Sequence, residues 1–355
     1  MKRFARHTLM VMLVLTGALF LYGCNAENET APAAAITATT IAPAATPTPT
    51  PAPTPEPVEV VLTPQERWGI DEFAIVLLPA DEDRPEVVWT REVFADALSE
   101  VLYGLPVREF RATSYTAAIE AMRTGHAHVA NFGPFSFIQA VDRANAQAFA
   151  VSARPARYYE DTPDGWMHGF FCLIITHVDS GIYSLDDLEG RTFGFVDPAS
   201  TSGALVPINS IINHFMDLGR PEMGFDDLWL GGRFFSSTMV TGSHPNSVQG
   251  VWRQDIDAAG VSSSQFNTQV NRELINPEDI RILYTSERIP GNAFAIQGDL
   301  PEDLKELVID FFINWDEQEF WDIRSTNPET RYRPITTADY DRIRELRDRF
   351  DLSDD

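Results

Sequence analysis

Short apolar runs alternate with longer stretches of helical periodicity from Phe73 onward. The apolar runs have the composition of buried strands, and they include "FAIVLLPA", "VREFRA", "HVANFG", "AFAVSAR" and "FFCLIITH". Between the first of them lie "VWTREVFADALSEVLYG" and "SYTAAIEAMRTG", whose apolar residues recur at helical spacing. This order predicts a parallel sheet whose strands are joined by crossover helices.

The alternation continues after a short helix predicted for "SLDDLEG", where we expect the chain to enter a second lobe. Further strands are predicted for "RTFGFV", "DIDAAGV", "IRILYTS" and "AFAI", and further helices for "EDLKELVIDFFINW" and "TADYDRIRELRDRF". A folded length of about 300 residues usually divides into two lobes. We predict an α/β fold in which residues 59–177 and 287–355 form lobe 1 and residues 178–286 form lobe 2. A hinge would join the lobes, with a ligand cleft between them at the carboxyl ends of the strands.

The first residues have the composition of an export signal. Lys2, Arg3 and Arg6 precede the apolar run "TLMVMLVLTGALFLYG" and Cys24, which is the order of a lipoprotein signal. We expect residues 1–23 to be a signal peptide and Cys24 to carry a lipid that anchors the protein on the outer face of the cytoplasmic membrane. The alternatives are an ordinary cleaved signal and an uncleaved anchor helix. Residues 24–58 are rich in Ala, Thr and Pro, which is typical of a disordered tether.

The chain is strongly acidic. Its formal net charge is −25, and removal of Lys2, Arg3 and Arg6 with the signal peptide would make it −28. Such a surface disfavours nucleic acids and anionic membranes as partners. Only Cys24 and Cys172 occur, so lipidation of Cys24 would leave no intramolecular disulfide. We expect a monomer whose stability comes from a large core.

The segment "DPASTSGALVP" joins a predicted strand to a predicted helix and contains Ser200, Thr201, Ser202 and Gly203. The first N–H groups of a helix have no intrahelical partners and lie at the positive end of its dipole, so an oxyanion can bind there without a formal positive charge. The hydroxyls would add donors, and Gly203 would let a ligand approach the backbone. The alternative is that one of these residues only caps the helix. Because affinity depends on the local donors, the acidic surface does not exclude an anionic ligand.

Five segments, in their order along the chain, resemble the periplasmic phosphonate-, phosphite- and phosphate-binding proteins of ABC transporters. They are "SYTAAIEAMRTGHAHVANFGPFSF", "VDSGIYSLDDLEGRTFGFVDP", "DPASTSGALVP", "TGSHPNSVQGVWRQDIDAAG" and "IPGNAFAIQGDLP". The resemblance extends from about Phe73 to Trp315. It implies a type II periplasmic-binding-protein fold that closes two lobes around a small phosphorus oxoanion and delivers this ligand to a membrane permease. It implies no metal, no cofactor and no catalytic residue.

The resemblance also implies which residues bind the ligand. Tyr115 in "TSYTAAIEA" matches the family tyrosine whose phenol donates to the ligand. Ser200, Thr201 and Ser202 match the turn that grips the phosphonate, and His244 in "GSHPNSV" matches the family histidine. A neutral imidazole N–H donates a hydrogen bond, and protonation near the ordinary pKa of about 6.5 would add a positive charge for a dianion.

The chain departs from the family pattern at several positions. Phe137 in "FGPFSF" stands where many relatives carry a tyrosine, beside Ser136, which we include with Asn292 in the predicted ligand-binding set. Relatives that bind an aminoalkyl phosphonate need carboxylates facing the amine, and this chain has Ser263, Ser264 and Asn292 in those regions. Burying an ammonium group without a partner is costly, so we expect a zwitterionic ligand to be disfavoured.

Two alternative functions remain open. A hydrolase would need a nucleophile and a base, for which Ser202 and His244 are the candidates, with Asp257 to orient the imidazole. The chain lacks a "G-x-S-x-G" elbow, and three adjacent hydroxyls suit binding better than attack, so we predict no enzyme activity. The other alternative is a surface sensor that presents its closed state to a receptor.

Three further features have ordinary structural explanations. His126 and His128 in "GHAHV" would need more donors to bind zinc, and no nearby acid or cysteine supplies them, so we expect both histidines to be exposed at a turn. Asp257 is expected to order the end of a strand rather than to contact ligand. The stretch "YYEDTPDGWMHGFF" fits either a loop at the cleft rim or core packing at the lobe junction.

Overall fold

Two separate β-sheets organise the part of the chain that the computed structural model describes, which is residues 62–79, 85–156, 165–221, 223–325 and 327–352. The predicted signal peptide, Cys24 and the predicted tether lie outside these residues. Within the described ranges, the helices are too short or too polar to cross a bilayer.

The described residues form twelve strands, divided between the two sheets. They are β1 (Phe73–Leu77), β2 (Val107–Arg111), β3 (Val129–Phe132), β4 (Ala146–Pro155), β5 (Trp166–Met167), β6 (Cys172–His177), β7 (Thr192–Phe195), β8 (Ser237–Val240), β9 (Ala258–Ser262), β10 (Ile280–Thr285), β11 (Ala293–Gln297) and β12 (Arg331–Pro334). The first sheet has the order β12–β4–β11–β3–β1–β2, with β5 paired to β4, and the second has the order β10–β6–β9–β7–β8.

Each sheet is mixed, with the predicted parallel strands and crossover helices in one part of it and antiparallel strands added to them. In the first sheet β1 is parallel to β2 and β3, whereas β11 is antiparallel to β3 and β4. In the second sheet β7 is parallel to β8 and β9, whereas β6 is antiparallel to β9 and β10. The antiparallel strands β6 and β11 are the first strands that the chain forms after passing from one sheet to the other.

Helices cover both sheets. They are α1 (Pro64–Trp68), α2 (Pro85–Val101), α3 (Tyr115–Arg123), α4 (Pro134–Ala144), α5 (Val206–Asp217), α6 (Phe225–Trp229), α7 (His244–Trp252), α8 (Ser263–Asn271), α9 (Glu302–Asn314), α10 (Gln318–Arg324) and α11 (Asp341–Arg349). Apolar side chains of α2, α9 and α10 pack on one face of the first sheet, and those of α3, α4 and α11 pack on the other. The second sheet packs against α5 on one face and against α7 and α8 on the other. We call each sheet with its helices the first and the second lobe.

The segment predicted as a short helix at "SLDDLEG" is a 3₁₀ turn, Leu185–Leu188. The predicted boundary after residue 177 is also wrong on one point, because β6 lies in the second sheet. It is buried on both faces, including Thr176 and His177, so the pattern does not indicate which sheet it joins. Its antiparallel pairing with β9 and β10 decides this.

The segments that link the lobes pair with each other. Phe170 N–H donates to the Ile289 carbonyl at 3.1 Å, and Ile289 N–H donates to the Phe170 carbonyl at 2.8 Å. Gly169 has a φ of +110°, and a Cβ at this position would lie 2.3 Å from the Ile289 oxygen. Glycine is therefore required where these two segments, which we call the hinge pair, come together.

Candidate functional site

A cavity of about 520 Å³ lies between the lobes. Residues of both lobes line it, including Tyr115 and Gly133 from the first lobe and Ser200, Thr201, Ser202 and His244 from the second. Every residue that the resemblance assigns to the ligand site, apart from Ser136, is in this lining. Phe170 of the aromatic stretch also lines the cavity, whereas Tyr158 and Tyr159 lie outside the described residues.

Five helices begin at this cavity because each follows the carboxyl end of a strand, and these ends lie at one edge of each sheet. The helices α3, α4, α7 and α8 follow the carboxyl ends of β2, β3, β8 and β9, and a π-helical turn, Thr201–Leu205, follows β7 and leads into α5. These strands belong to the parallel parts of their sheets, so their carboxyl ends lie at one edge. Each helix contributes a cap or first-turn residue to the lining. The positive ends of five helix dipoles therefore surround one volume, an arrangement suited to an anion.

The turn that carries the three hydroxyls is shaped by its own packing. Ser200 caps it, because its Oγ accepts a hydrogen bond from Gly203 N–H at 3.1 Å. A Cβ at residue 203 would lie 2.4 Å from the Cβ of Val196, so Gly203 lets the turn pack against β7. The predicted role for Gly203, close approach of a ligand, stays a prediction beside this packing role. The thiol of Cys172, in β6, donates a hydrogen bond to the Ser202 carbonyl at 3.4 Å and so holds the turn against that strand.

The same turn is hydrogen-bonded to the first lobe. The Thr201 hydroxyl oxygen accepts a bond from Phe135 N–H at 2.8 Å, and the Asp197 carboxylate accepts one from Tyr115 N–H at 3.4 Å. The Tyr115 phenol also lies near the Ser200 side chain, which lowers the phenol pKa and partly opposes the effect of burial. These interlobe contacts hold the turn against the starts of α3 and α4.

Burial shifts the pKa values of three titratable groups at the site. Burial raises the pKa of the Tyr115 phenol, which therefore keeps its proton, and burial also raises the pKa of the Asp197 carboxyl group. Burial lowers the pKa of His244 to about 4, below the ordinary value near which protonation was expected. The Nδ1 atom of His244 accepts a hydrogen bond from Ser262 N–H at 3.1 Å. The neutral ring therefore carries its proton on Nε2, where it is a donor.

Two neighbouring residues in α4 do not reach the cavity. The Ser136 hydroxyl is buried and donates to the Gly133 carbonyl at 2.9 Å. Ser136, which we included in the predicted ligand-binding set, is not among the residues that line the cavity. The Phe137 ring is fully buried and packs on Tyr340 with 4.8 Å between ring centroids. The Phe137 side chain therefore belongs to the core of the first lobe.

The positions expected to face an amine lie at different depths. Ser264 and Asn292 line the cavity, and Asn292 donates to the side-chain oxygen of Asn131 at 3.4 Å. The Ser263 hydroxyl accepts a bond from Phe171 N–H at 3.0 Å and is absent from the lining.

Among the described residues, the charged side chains that line the cavity are all positive. The lining residues include Arg111 and Arg324 and neither Asp nor Glu. The sequence contains 52 acids, so the absence of any from this lining contrasts with the chain as a whole. Trp321 lines the cavity as well, and no motif in the sequence indicated that these three residues would do so.

The residues considered for hydrolysis and for zinc serve other contacts. Asp257 accepts hydrogen bonds from the N–H and the hydroxyl of Thr192 at 2.8 and 2.9 Å, which confirms its predicted role at a strand end. His126 is exposed as expected, but the expected exposure of His128 is wrong, because His128 is buried and its Nδ1 accepts from Ala74 N–H at 2.9 Å. Among the described residues, no three His, Cys, Asp or Glu side chains are grouped to bind a metal ion.

Comparison with known proteins places this geometry in a family. Residues 76–340 match the model of the family described as periplasmic substrate-binding proteins of phosphonate ABC transporters. A phosphonates-binding periplasmic protein of Escherichia coli is 28% identical over 216 residues, which are 60% of this chain and 57% of that protein. A phosphate-import protein of Mycolicibacterium smegmatis is 26% identical over 262 residues, 69% of this chain and 76% of that protein.

Solved structures show the same fold. A binding protein component of an ABC phosphonate transporter from Pseudomonas aeruginosa has a TM-score of 0.63 at 23% identity, covering 78% of this chain and 86% of its own. A Prochlorococcus marinus protein, PhnD1, in complex with methylphosphonate also has a TM-score of 0.63, at 17% identity, covering 79% and 98%. The two lobes and their cleft are those of a type II periplasmic-binding protein. The chain belongs to the family of periplasmic substrate-binding proteins of phosphonate ABC transporters.

Proposed function

We propose that this protein captures a small phosphorus oxoanion, namely phosphate, phosphite or a simple phosphonate, and delivers it to the permease of an ABC transporter. The observation that carries the proposal is the convergence of five helix N-termini on a cavity whose described lining contains no acid. Family membership and the names of the two relatives support the choice of phosphorus over other oxoanions.

Binding in this site depends on neutral donors. The hydroxyls of Thr201 and Ser202, the Tyr115 phenol and the Nε2–H of His244 line the cavity, and the N–H groups of the turn add the field of the helix dipole. Hydrogen bonds to a charged acceptor are about twice as strong as neutral ones. Because the donors come from both lobes, one small ion can contact all of them only when the lobes are closed.

The protein would act outside the cytoplasmic membrane as a lipid-anchored monomer. The basic flank, the apolar run and Cys24 support the anchor, and the composition of residues 24–58 supports a tether. Replacement of Cys24 with serine should release the protein into the medium or periplasm. Its retention in the membrane fraction would contradict the lipid anchor.

Calorimetry on the purified protein tests which of these ligands it binds. Methylphosphonate, phosphite and phosphate should bind with one-to-one stoichiometry, and at least one of them should bind more tightly than sulfate. A Tyr115→Phe variant should bind more weakly while melting at a similar temperature. If none of the three ligands binds, the proposed function is wrong.

The same ligands should leave the protein chemically unchanged. Asp257 is bonded to Thr192, and the Nδ1 atom of His244 accepts from Ser262 N–H, so no acid orients the imidazole as a serine hydrolase requires. Incubation with phosphoesters and phosphonates should release no phosphate above the rate without protein. Turnover that disappears in a Ser202→Ala variant would establish a hydrolase instead.

A further inference from the structure

The cavity extends beyond the turn that carries Ser200, Thr201 and Ser202, which we call the hydroxyl turn, into the first lobe. Its wall there includes Arg111 at the end of β2, Trp321 and Arg324 in α10, and Ser325 and Thr330 after that helix. We call the space beside these five residues the tail compartment. In the proposed function the hydroxyl turn holds the phosphorus group, so this compartment is available for the substituent on phosphorus.

Donors dominate the tail compartment. Trp321 is 2% exposed, and its indole N–H is buried without a hydrogen-bond partner. Leaving a buried donor unpaired is costly, so an acceptor in the adjoining cavity would satisfy it. Tryptophan can only donate, which excludes a donor group such as an ammonium as its partner.

Arg324 supplies charge one helical turn away on the same face of α10. Its guanidinium lies 3.8 Å from Glu109, a separation too long for a hydrogen bond, and it packs on the Phe320 ring. Glu109 also lies 3.4 Å from Arg91, so one carboxylate is shared between two arginines. Arg111 adds a further cation to the wall, and no described lining residue is an acid.

We propose, on the basis of the proposed function, that the tail compartment binds the carboxylate of a phosphonocarboxylate ligand. A carboxylate is planar and accepts two hydrogen bonds from a guanidinium, and it also accepts from an indole N–H. The ligand class is therefore an anion at both ends, with the phosphonate on the hydroxyl turn and the carboxylate beside Trp321 and Arg324. An aminoalkyl tail would meet the same donors and two arginines, which oppose it.

Calorimetry with pairs of ligands of equal length tests this assignment. Phosphonoacetate, 3-phosphonopropionate and 4-phosphonobutyrate are compared with ethyl-, propyl- and butylphosphonate. We expect at least one carboxylate to bind about tenfold or more tightly than its alkyl partner, and the length that gains most reports the span of the cavity. If all three carboxylates bind no better than their alkyl partners while methylphosphonate binds, the inference is wrong and the proposed function stands. If none of the phosphonates, phosphate or phosphite binds, both are wrong.

Variants assign the gain to the tail compartment. Arg324→Gln and Trp321→Phe should each remove most of the gain of the carboxylate ligand and change methylphosphonate affinity by less than about twofold. Arg233→Gln is the matched control, because Arg233 is exposed and pairs with Asp227 in the second lobe. A gain that survives in both tail-compartment variants would overturn the assignment. Thermal melting of each variant verifies that it is folded.

Discussion

The hydroxyl oxygen of Thr201 accepts a hydrogen bond of 2.8 Å from the backbone N–H of Phe135, in the opposite lobe. The start of α4 lacks a side-chain cap of its own, since Gly133 is at the cap position. Thr201 therefore caps a helix across the cleft, and its hydroxyl hydrogen remains available for an anion. One side chain thus links lobe closure to ligand binding.

Replacing Thr201 with valine should weaken oxoanion binding by about 1.5–3 kcal/mol, the usual contribution of a hydrogen bond to a charged group. The volume is nearly preserved, but both the donor and the acceptor are lost. Calorimetry with methylphosphonate measures the effect, and Thr201→Ser is the control that keeps the hydroxyl. Equal affinities for the valine variant and the parent would exclude Thr201 from the site.

Ligand should make the particle more compact in solution. Donors from Tyr115 in one lobe and from Thr201 and His244 in the other reach one small ion only in a closed cleft. Small-angle scattering with and without saturating methylphosphonate should show a smaller radius of gyration with ligand. An unchanged radius would argue against closure, and a Thr201→Val sample provides the comparison for a weakened interlobe contact.

The stability of the protein should fall as the pH is lowered from about 6.5 to about 4, in part through His244. Burial lowers its pKa to about 4, so in this range the unfolded chain takes up a proton on the imidazole that the folded chain does not. Stability from this group is complete above about pH 6.5 and is lost as the pH falls toward 4. A His244→Asn variant, whose side-chain oxygen can still accept from Ser262 N–H, should show a shallower pH dependence of its melting temperature. Parallel profiles for the two proteins would contradict the burial of a neutral imidazole.

Replacing Gly203 with alanine should destabilise the hydroxyl turn. The new Cβ would lie 2.4 Å from the Cβ of Val196, and overpacking of this kind costs about 1–3 kcal/mol. Denaturant unfolding and methylphosphonate titration should both show the loss. Gly224→Ala is the control, because no side-chain or backbone atom outside its neighbours lies closer than 3.7 Å to a Cβ there. Similar losses of affinity in the two variants would count against the packing argument.

Aminoethylphosphonate should bind at least about a hundredfold more weakly than methylphosphonate, because an unpaired buried ammonium costs several kcal/mol. Ser264 and Asn292 line the cavity where an amine would need carboxylates. The double variant Ser264→Glu, Asn292→Asp should raise the affinity for aminoethylphosphonate and lower that for methylphosphonate. Competition calorimetry measures both. Tight binding of aminoethylphosphonate by the unchanged protein would show that the ammonium finds another partner.

The sequence predicted the strands and helices with strong periodicity, and it predicted the hydroxyl turn from local chemistry. It could not place β6, because a strand that is buried on both faces fits either sheet. It also did not predict α4, whose start "GPFSF" reads as the end of a strand rather than as a helix. The buried faces of Ser136 and Phe137 follow from that helix.

The site was predicted where a motif lies in one segment, as for Ser200, Thr201 and Ser202. The tail compartment was not predicted, because Arg111, Trp321 and Arg324 come from distant segments that only the fold brings together. The pKa of His244 likewise depends on burial, which no neighbouring residue in the sequence indicates.

The hinge pair restricts how the two lobes can move. Two extended segments held side by side by reciprocal hydrogen bonds between Phe170 and Ile289 resist sliding, because a shift of one residue would break both bonds. They can still bend and twist together. We therefore expect the lobes to open by rotation about the hinge pair, and closure to return the Ser200–Ser202 turn to the starts of α3 and α4. Because Gly169 and Phe170 line the cavity, the backbone register that fixes the closed position of the lobes is set beside the ligand site.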